Sequence, residues 1–223
     1  MFSIDFFGSM LDERLHASGR HSTRVELRRK ENLYVCGDSD ESVYLITSGH
    51  IKAVTVTPGG KGCLLAFYSR YDLLGESCLL SPVRQETATA MTPVVARKIP
   101  RSWFLEALST HGLFEEYLQY LTTRLFEQQE HITHLVTCDS EQRLAATLLR
   151  MARRQVATES DWVMFDQKIT HEELAAMVGT TRSRIGFFLK RFRELSAVET
   201  TPKNRLMVHP ERLEHYMDEC SLA

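Results

Sequence analysis

An α+β chain is predicted: an N-terminal antiparallel β-roll, one long helix and a C-terminal winged helix-turn-helix. Three observations carry that prediction. Across residues 24–99, short alternating apolar runs are separated by turn-forming residues, the pattern of an all-β roll or sandwich. Across residues 114–135, apolar residues recur by fours and threes, as in a long helix that pairs with another. Across residues 169–195, two short helical patterns flank a glycine, the outline of two helices joined by a tight turn.

Residues 1–19 read as a short amphipathic helix. The strand candidates follow: TRVEL, NLYVC, SVYLITSG, HIKAVTVT, CLLAFYS and VVARKI. Between them GDSDES, PGGKG, SRYDLLGES and SPVRQ read as turns, rich in the residues that bend a chain. Gly59-Gly60-Lys61-Gly62 has a phosphate loop's glycines but lacks its spacing and following hydroxyl, so it is read as a hairpin turn. Residues 102–108 turn helical. The seam of the next helix is Phe114, Leu118, Leu121, Leu125, Gln128, Ile132 and Leu135. One polar member, Gln128, fits a seam whose register is fixed by a buried amide.

Thr137-Cys138-Asp139-Ser140 breaks the seam. Asp139 and Gln142 form a capping box that opens a helix from Glu141 to about Val156. Thr170 and Glu173 form another. Leu174, Met177 and Val178 then give an apolar face, and Gly179 ends the helix in a left-handed conformation. Thr181 caps the next helix. There Ile185, Phe188, Leu189 and Phe192 form the buried stripe, at i, i+3, i+4 and i+7. Arg182, Ser183, Gly186, Phe187 and Lys190 are left facing outward. Residues 198–208 alternate around Pro202-Lys203-Asn204 as a β-hairpin, and a helix from Pro210 to about Glu219 follows.

The outward face suits a major groove. An arginine there bonds guanine O6 and N7, and a helix N-terminus attracts phosphate. Arg182 is the expected base reader, with Ser183 and Phe187 tuning the choice. Thr170, Arg184, Lys190 and Lys203 are expected near the phosphates, and Thr181 is also expected at the DNA-binding surface.

Composition fits a soluble globular protein: 43% hydrophobic, 25% charged, with a formal net charge of −2 over 223 residues. Any basic patch is therefore local. The five cysteines are scattered, without a C-x-x-C pair, which points to a reducing compartment. No apolar run reaches the ~18 residues of a membrane span, and the N-terminus lacks the pattern of a signal peptide. A cytoplasmic location is expected. His131 and His134 stand at i, i+3, but no third metal ligand is evident. No catalytic nucleophile–base pair or metal cluster is legible, so no enzyme activity is expected.

In order and spacing, these elements resemble the Crp/Fnr family of bacterial transcription regulators across nearly the whole chain. Gly37-Asp38, the SVYLITSGHIKA run with Gly49, Gly75-Glu76 after Tyr71-Asp72-Leu73-Leu74, and the 169–195 block carry the resemblance. It implies a cyclic-nucleotide-binding-type β-roll over residues 1–112, a dimerisation helix over 113–138 and a winged-helix DNA-binding domain over 139–223. It further implies a homodimer reading a palindromic promoter site on double-stranded DNA, recognition helices roughly 34 Å apart, with RNA polymerase as a partner.

The resemblance also places an effector pocket at Gly75, Glu76, Glu86, Thr87, Gln128 and Gln129. Members that bind cyclic AMP follow Gly-Glu with an Arg-Ser or Arg-Thr pair, the Arg meeting the cyclic phosphate. The equivalent pair here is Glu86-Thr87. A carboxylate repels that phosphate, and Arg84 reaches it only if the loop shifts. Gln128 and Gln129 stand where those members carry small hydroxyls. Negligible cyclic AMP binding is expected, leaving another effector or none. The cysteine-rich N-terminal segment of iron–sulfur members is absent before Cys36, and no histidine stands near Cys78, where haem-sensing members use one. The alternatives are a cyclic-nucleotide-responsive regulator and a regulatory module acting through protein contacts.

Overall fold

The computed structural model describes residues 5–18, 22–56, 59–60, 62–110, 112–153 and 160–221. Outside these lie the outer ends of the predicted first helix, Lys61 of the Gly59–Gly62 turn, and residues 154–156 of the predicted 141–156 helix. The chain divides into two compact units, residues 1–128 and 129–223.

The first unit opens with α1 (Asp5–Ser18). Six strands match the sequence reading: β1 (Thr23–Leu27), β2 (Asn32–Tyr34), β3 (Ser42–Ser48), β4 (Ile51–Val56), β5 (Gly62–Tyr68) and, later in the chain, β8 (Val94–Pro100). Two strands between them do not. The stretch read as a turn, SRYDLLGES, contains β6 (Leu73–Leu74) and leads into a 3-10 turn at Glu76–Leu79. Thr87–Ala90 is β7, with Ala88 and Ala90 buried. Its Thr-Ala-Thr-Ala alternation is a strand period, but alanine is a weak strand signal.

These strands form two four-stranded antiparallel sheets, ordered β1-β8-β3-β6 and β2-β7-β4-β5. The core of the roll includes Tyr34, Tyr44, Ile46, Ile51, Leu74, Ala88 and Ala96. A second core lies under the helices, where Phe7, Leu11, Val43, Leu45, Leu73, Trp103 and Phe104 meet Tyr117 and Tyr120. β3 faces both cores. Successive side chains point to opposite faces, so Val43 and Leu45 serve the helices while Tyr44 and Ile46 fill the roll. That double burial explains its unbroken apolar run.

α2 (Arg101–Thr110) leads to α3 (Phe114–Thr137), which carries the predicted seam. All six apolar seam residues are exposed on the single chain, with Phe114 at 59%, Leu125 at 58% and Ile132 at 59%. The opposite stripe, Tyr117 and Tyr120, is buried. In the first unit α3 therefore buries its Tyr117–Tyr120 face, while the seam face stays exposed along the helix.

In the second unit α4 (Ser140–Arg153) starts on the predicted capping box: Asp139 Oδ1 accepts from Gln142 N at 2.9 Å, and Gln142 Oε1 from Asp139 N at 2.8 Å. After β9 (Val163–Met164) come α5 (His171–Val178) and α6 (Arg182–Glu194). The hairpin β10 (Val198–Thr200) and β11 (Leu206–Val208) adds β9 on its far side, in the order β10-β11-β9. β9 was not expected, because two residues carry no readable period. α7 (Pro210–Ser221) packs Tyr216 edge-on against Phe192, ring centroids 5.3 Å apart. No described helix is long and apolar enough to cross a membrane.

Candidate nucleic-acid interface and ligand pocket

The turn between α5 and α6 is built as its sequence dictates. Thr170 caps α5 and exchanges bonds with Glu173 in a capping box. Gly179 ends the helix at φ 71°, where a Cβ is strained. Thr181 caps α6, its hydroxyl accepting from Arg184 N at 3.3 Å. Ile185, Phe188, Leu189 and Phe192 are buried as expected. Their burial fixes the roll of α6 and leaves Arg182, Ser183, Arg184, Phe187 and Lys190 exposed. Phe187 is 63% exposed, a large apolar surface that folding alone does not call for.

The cations of this region sort by partner. Arg191 is drawn inward to Glu141 at 3.1 Å, and Arg193 donates to Thr200 at 3.2 Å. Arg184 lies over the Phe188 ring at 5.5 Å. Arg182 Nε meets Glu172 of α5 at 2.9 Å, with both side chains mostly exposed. Such a surface pair holds weakly, at ~0–1 kcal/mol, so Arg182 is readily exchanged onto another acceptor. Glu172 was missed from sequence: the partners are ten residues apart on different helices, beyond any i, i+4 rule. Lys203 is exposed in the hairpin turn, beside Asn204 at φ 57°.

The pocket residues of the first unit are arranged differently from the expectation. Arg84 neither shifts toward a ligand nor stays on the surface; its side chain is fully buried. It donates to Gly75 O at 2.7 Å, to Asp40 at 2.9 Å and to Ser42 O, and its guanidinium lies over the Tyr34 ring at 4.4 Å. A Cβ on Gly75 would stand 2.4 Å from Arg84 Nη1, so glycine is required there by the arginine. Burial opposes ionisation of Asp40, but hydrogen bonds from Tyr44, Arg84 and Lys98 outweigh it and hold the carboxyl at about 2. Glu86 accepts from Tyr34 OH at 2.8 Å, and Thr87 from Cys36 N at 3.0 Å.

Beside Glu76 stands a group the sequence reading did not select. Arg124 of α3 lies over the Tyr68 ring at 5.0 Å, and Tyr120 OH is 3.5 Å from Glu76 Oε1. The signal was present: Tyr117, Tyr120 and Arg124 follow each other by three and four, a second stripe behind the seam. Gln128 and Gln129 are exposed.

Burial raises the Glu76 carboxyl to about 7; Arg124 opposes the rise, while Asp72 and Glu86 add to it. In the unfolded chain the same group titrates near 4.5. The folded form therefore holds the proton more tightly, and stability falls as pH rises from about 4.5 to 7, then levels. Glu76→Gln should remove that slope and stabilise the unit above pH 7 by on the order of 1–2 kcal/mol. Urea unfolding followed through Trp103, in a Trp162→Phe background, reads it. A slope unchanged by the substitution assigns it to another group.

Comparison with known proteins follows the same two units. The profile of the cyclic nucleotide-binding domain matches residues 24–111, and that of the Crp-like helix-turn-helix domain matches residues 142–216. The CRP-like cAMP-activated global transcriptional regulator of Mycobacterium tuberculosis is 28% identical over 194 residues, covering 85% of each chain. The global nitrogen regulator of Synechococcus elongatus is 27% identical over 201 residues, covering 88% of this chain and 90% of its own. Among solved structures, a mutant of CooA from Carboxydothermus hydrogenoformans superposes with a TM-score of 0.75 at 19% identity, covering 92% of this chain and 94% of its own. FixK2 from Bradyrhizobium japonicum gives 0.74 at 18% identity, covering 87% and 96%.

Proposed function

Because this chain belongs to the Crp/Fnr family of transcription regulators, we propose that it binds a palindromic promoter site as a homodimer, with α6 entering the major groove. The observation that carries this reading is the N-terminal end of α6. Its buried stripe fixes the helix, while Arg182, Ser183 and Phe187 stand exposed beside a capped terminus. Arg182 supplies the bidentate donor for guanine, and Phe187 an apolar face for a thymine methyl. Thr170, Thr181, Arg184, Lys190 and Lys203 fall to the flanking phosphates, and RNA polymerase is the protein partner.

The test starts from duplexes selected out of a random pool. Arg182→Ala should cost about 1–3 kcal/mol at the selected site and relax preference at one base position. Lys203→Ala should weaken all sequences alike and flatten the salt dependence. An unchanged sequence preference in Arg182→Ala assigns base reading elsewhere. Absence of salt-dependent binding to duplex DNA by the unaltered chain, together with capture of a protein partner through α6, favours the protein-contact alternative.

Cyclic AMP is not the effector in this reading, although the M. tuberculosis relative is described as activated by it. Glu86, which accepts from Tyr34, stands at the position of the phosphate-binding arginine of cyclic-AMP-binding members, and Arg84 is committed to Gly75, Asp40 and Ser42. Titration calorimetry should show no cyclic AMP binding at micromolar concentration. Glu86→Arg should create or markedly raise it, by removing a repulsion and adding a bidentate donor. Micromolar affinity in the unaltered protein overturns the assignment.

A further inference from the structure

Arg182 is the first residue of α6, directly after the cap at Thr181. A cation there meets the positive end of the helix dipole. The first turn of α6 holds Arg182 and Arg184 and no acid. The compensating carboxylate comes from α5, where Glu172 meets Arg182 Nε at 2.9 Å. The first turn of α5 is packed close to α6 beside this pair: His171 Nδ1 lies 3.7 Å from where a Cβ on Gly186 would stand.

The point of contact on the guanidinium decides what it can read. Arginine carries its N–H donors in a fixed planar fork. A carboxylate at Nε takes the side of that fork and leaves the Nη1–Nη2 end for a base. Guanine presents two acceptors side by side in the major groove, O6 and N7, whereas adenine presents an acceptor and a donor. An arginine free to swing also meets phosphates, which carry no sequence information. The Arg182–Glu172 pair is weak in water, and it strengthens once the groove excludes water.

On the reading that Arg182 contacts the base, we propose that Glu172 is a positioning residue for sequence recognition. It holds Arg182 by Nε with the Nη end toward guanine, and it keeps that cation from serving phosphates on any sequence. Glu172 therefore acts in opposite directions on two kinds of DNA. On the selected site it orients the fork. On unrelated duplex its charge offsets that of Arg182 and repels the backbone, which lowers non-specific binding.

Fluorescence anisotropy tests this with the full chain, the selected duplex, its variants at the guanine position and an unrelated duplex, over a series of salt concentrations. Glu172→Ala should lower discrimination at the guanine position by about threefold or more. Binding to the unrelated duplex should tighten, with a salt slope steeper by about one. Glu172→Asp keeps the charge in the first turn of α5 but is a methylene shorter, so it should lose discrimination as well. In the Arg182→Ala background, Glu172→Ala should change discrimination at that position no further. Discrimination unchanged in Glu172→Ala, where Arg182→Ala relaxes it, overturns the positioning role and leaves Arg182 as the reader. Full discrimination in Glu172→Asp assigns the effect to charge alone and overturns it too. Equal weakening of Glu172→Ala on every duplex marks a structural role and does the same. Sequence preference unchanged in Arg182→Ala overturns both the positioning role and base reading by Arg182.

Discussion

Leu125→Asp is expected to convert the proposed dimer to a monomer and to weaken binding to a palindromic site by about 10²–10⁴-fold. In the single chain, Leu118, Leu121, Leu125, Ile132 and Leu135 are all exposed along one face of α3. An apolar stripe on a helix whose other face is already buried at Tyr117 and Tyr120 is a surface awaiting a partner. A heptad repeat selects another such helix as that partner. An aspartate at the centre of the seam places two carboxylates, one from each copy, in a dry interface without counter-charge. The loss in DNA affinity follows because a dimer joins two half-sites, and the second contact is made at high effective concentration. Sedimentation at micromolar protein should find the unaltered chain dimeric and Leu121→Asp or Leu125→Asp monomeric. Thr133→Asp, exposed but off the seam, should stay dimeric. A Leu125→Asp protein that remains dimeric, or a monomer that keeps full palindrome affinity, removes α3 as the interface.

The seam was legible because a repeat of fours and threes is a long-range regularity that single substitutions do not hide. The helix-turn-helix was legible for a different reason. Its caps, Thr170, Glu173, Gly179 and Thr181, act locally, so sequence neighbours suffice to recognise them. The surroundings of the expected effector residues were far less legible. Glu76, Glu86 and Thr87 were reachable by resemblance, yet what surrounds them comes from distant parts of the chain. Tyr34 reaches Glu86 across 52 residues, and Tyr120 reaches Glu76 across 44. Nor did the sequence show that Arg84 turns inward. A cation in a loop reads as solvated, because lone charges are almost never fully buried. It is buried here only because the chain brings Asp40 and two carbonyls to it.

Arg84 should therefore matter more for the first unit than any other single charge. Its guanidinium joins four segments: Gly75 before the 3-10 turn, Ser42 at the start of β3, Asp40 in the preceding loop, and the Tyr34 ring of β2. Arg84→Ala leaves Gly75 O and Ser42 O without that donor and removes from Asp40 a hydrogen bond that offsets its burial. Breaking a buried pair from one side costs about 3–5 kcal/mol, and the emptied volume adds to it. Arg84→Lys should recover only part of the loss, because an ammonium lacks the planar fork that serves several acceptors at once. Gly75→Ala should be damaging for the reciprocal reason, since φ is 80° and its Cβ would meet Arg84 Nη1 at 2.4 Å. Urea unfolding read through Trp103 in the Trp162→Phe background, at equal protomer concentration, measures all three. In the Arg84→Ala background, Gly75→Ala should cost less than it does alone, because the clash has gone and only the backbone strain remains. A loss below about 1 kcal/mol for Arg84→Ala, or strict additivity of the two substitutions, would show that the arginine does not hold this cassette together.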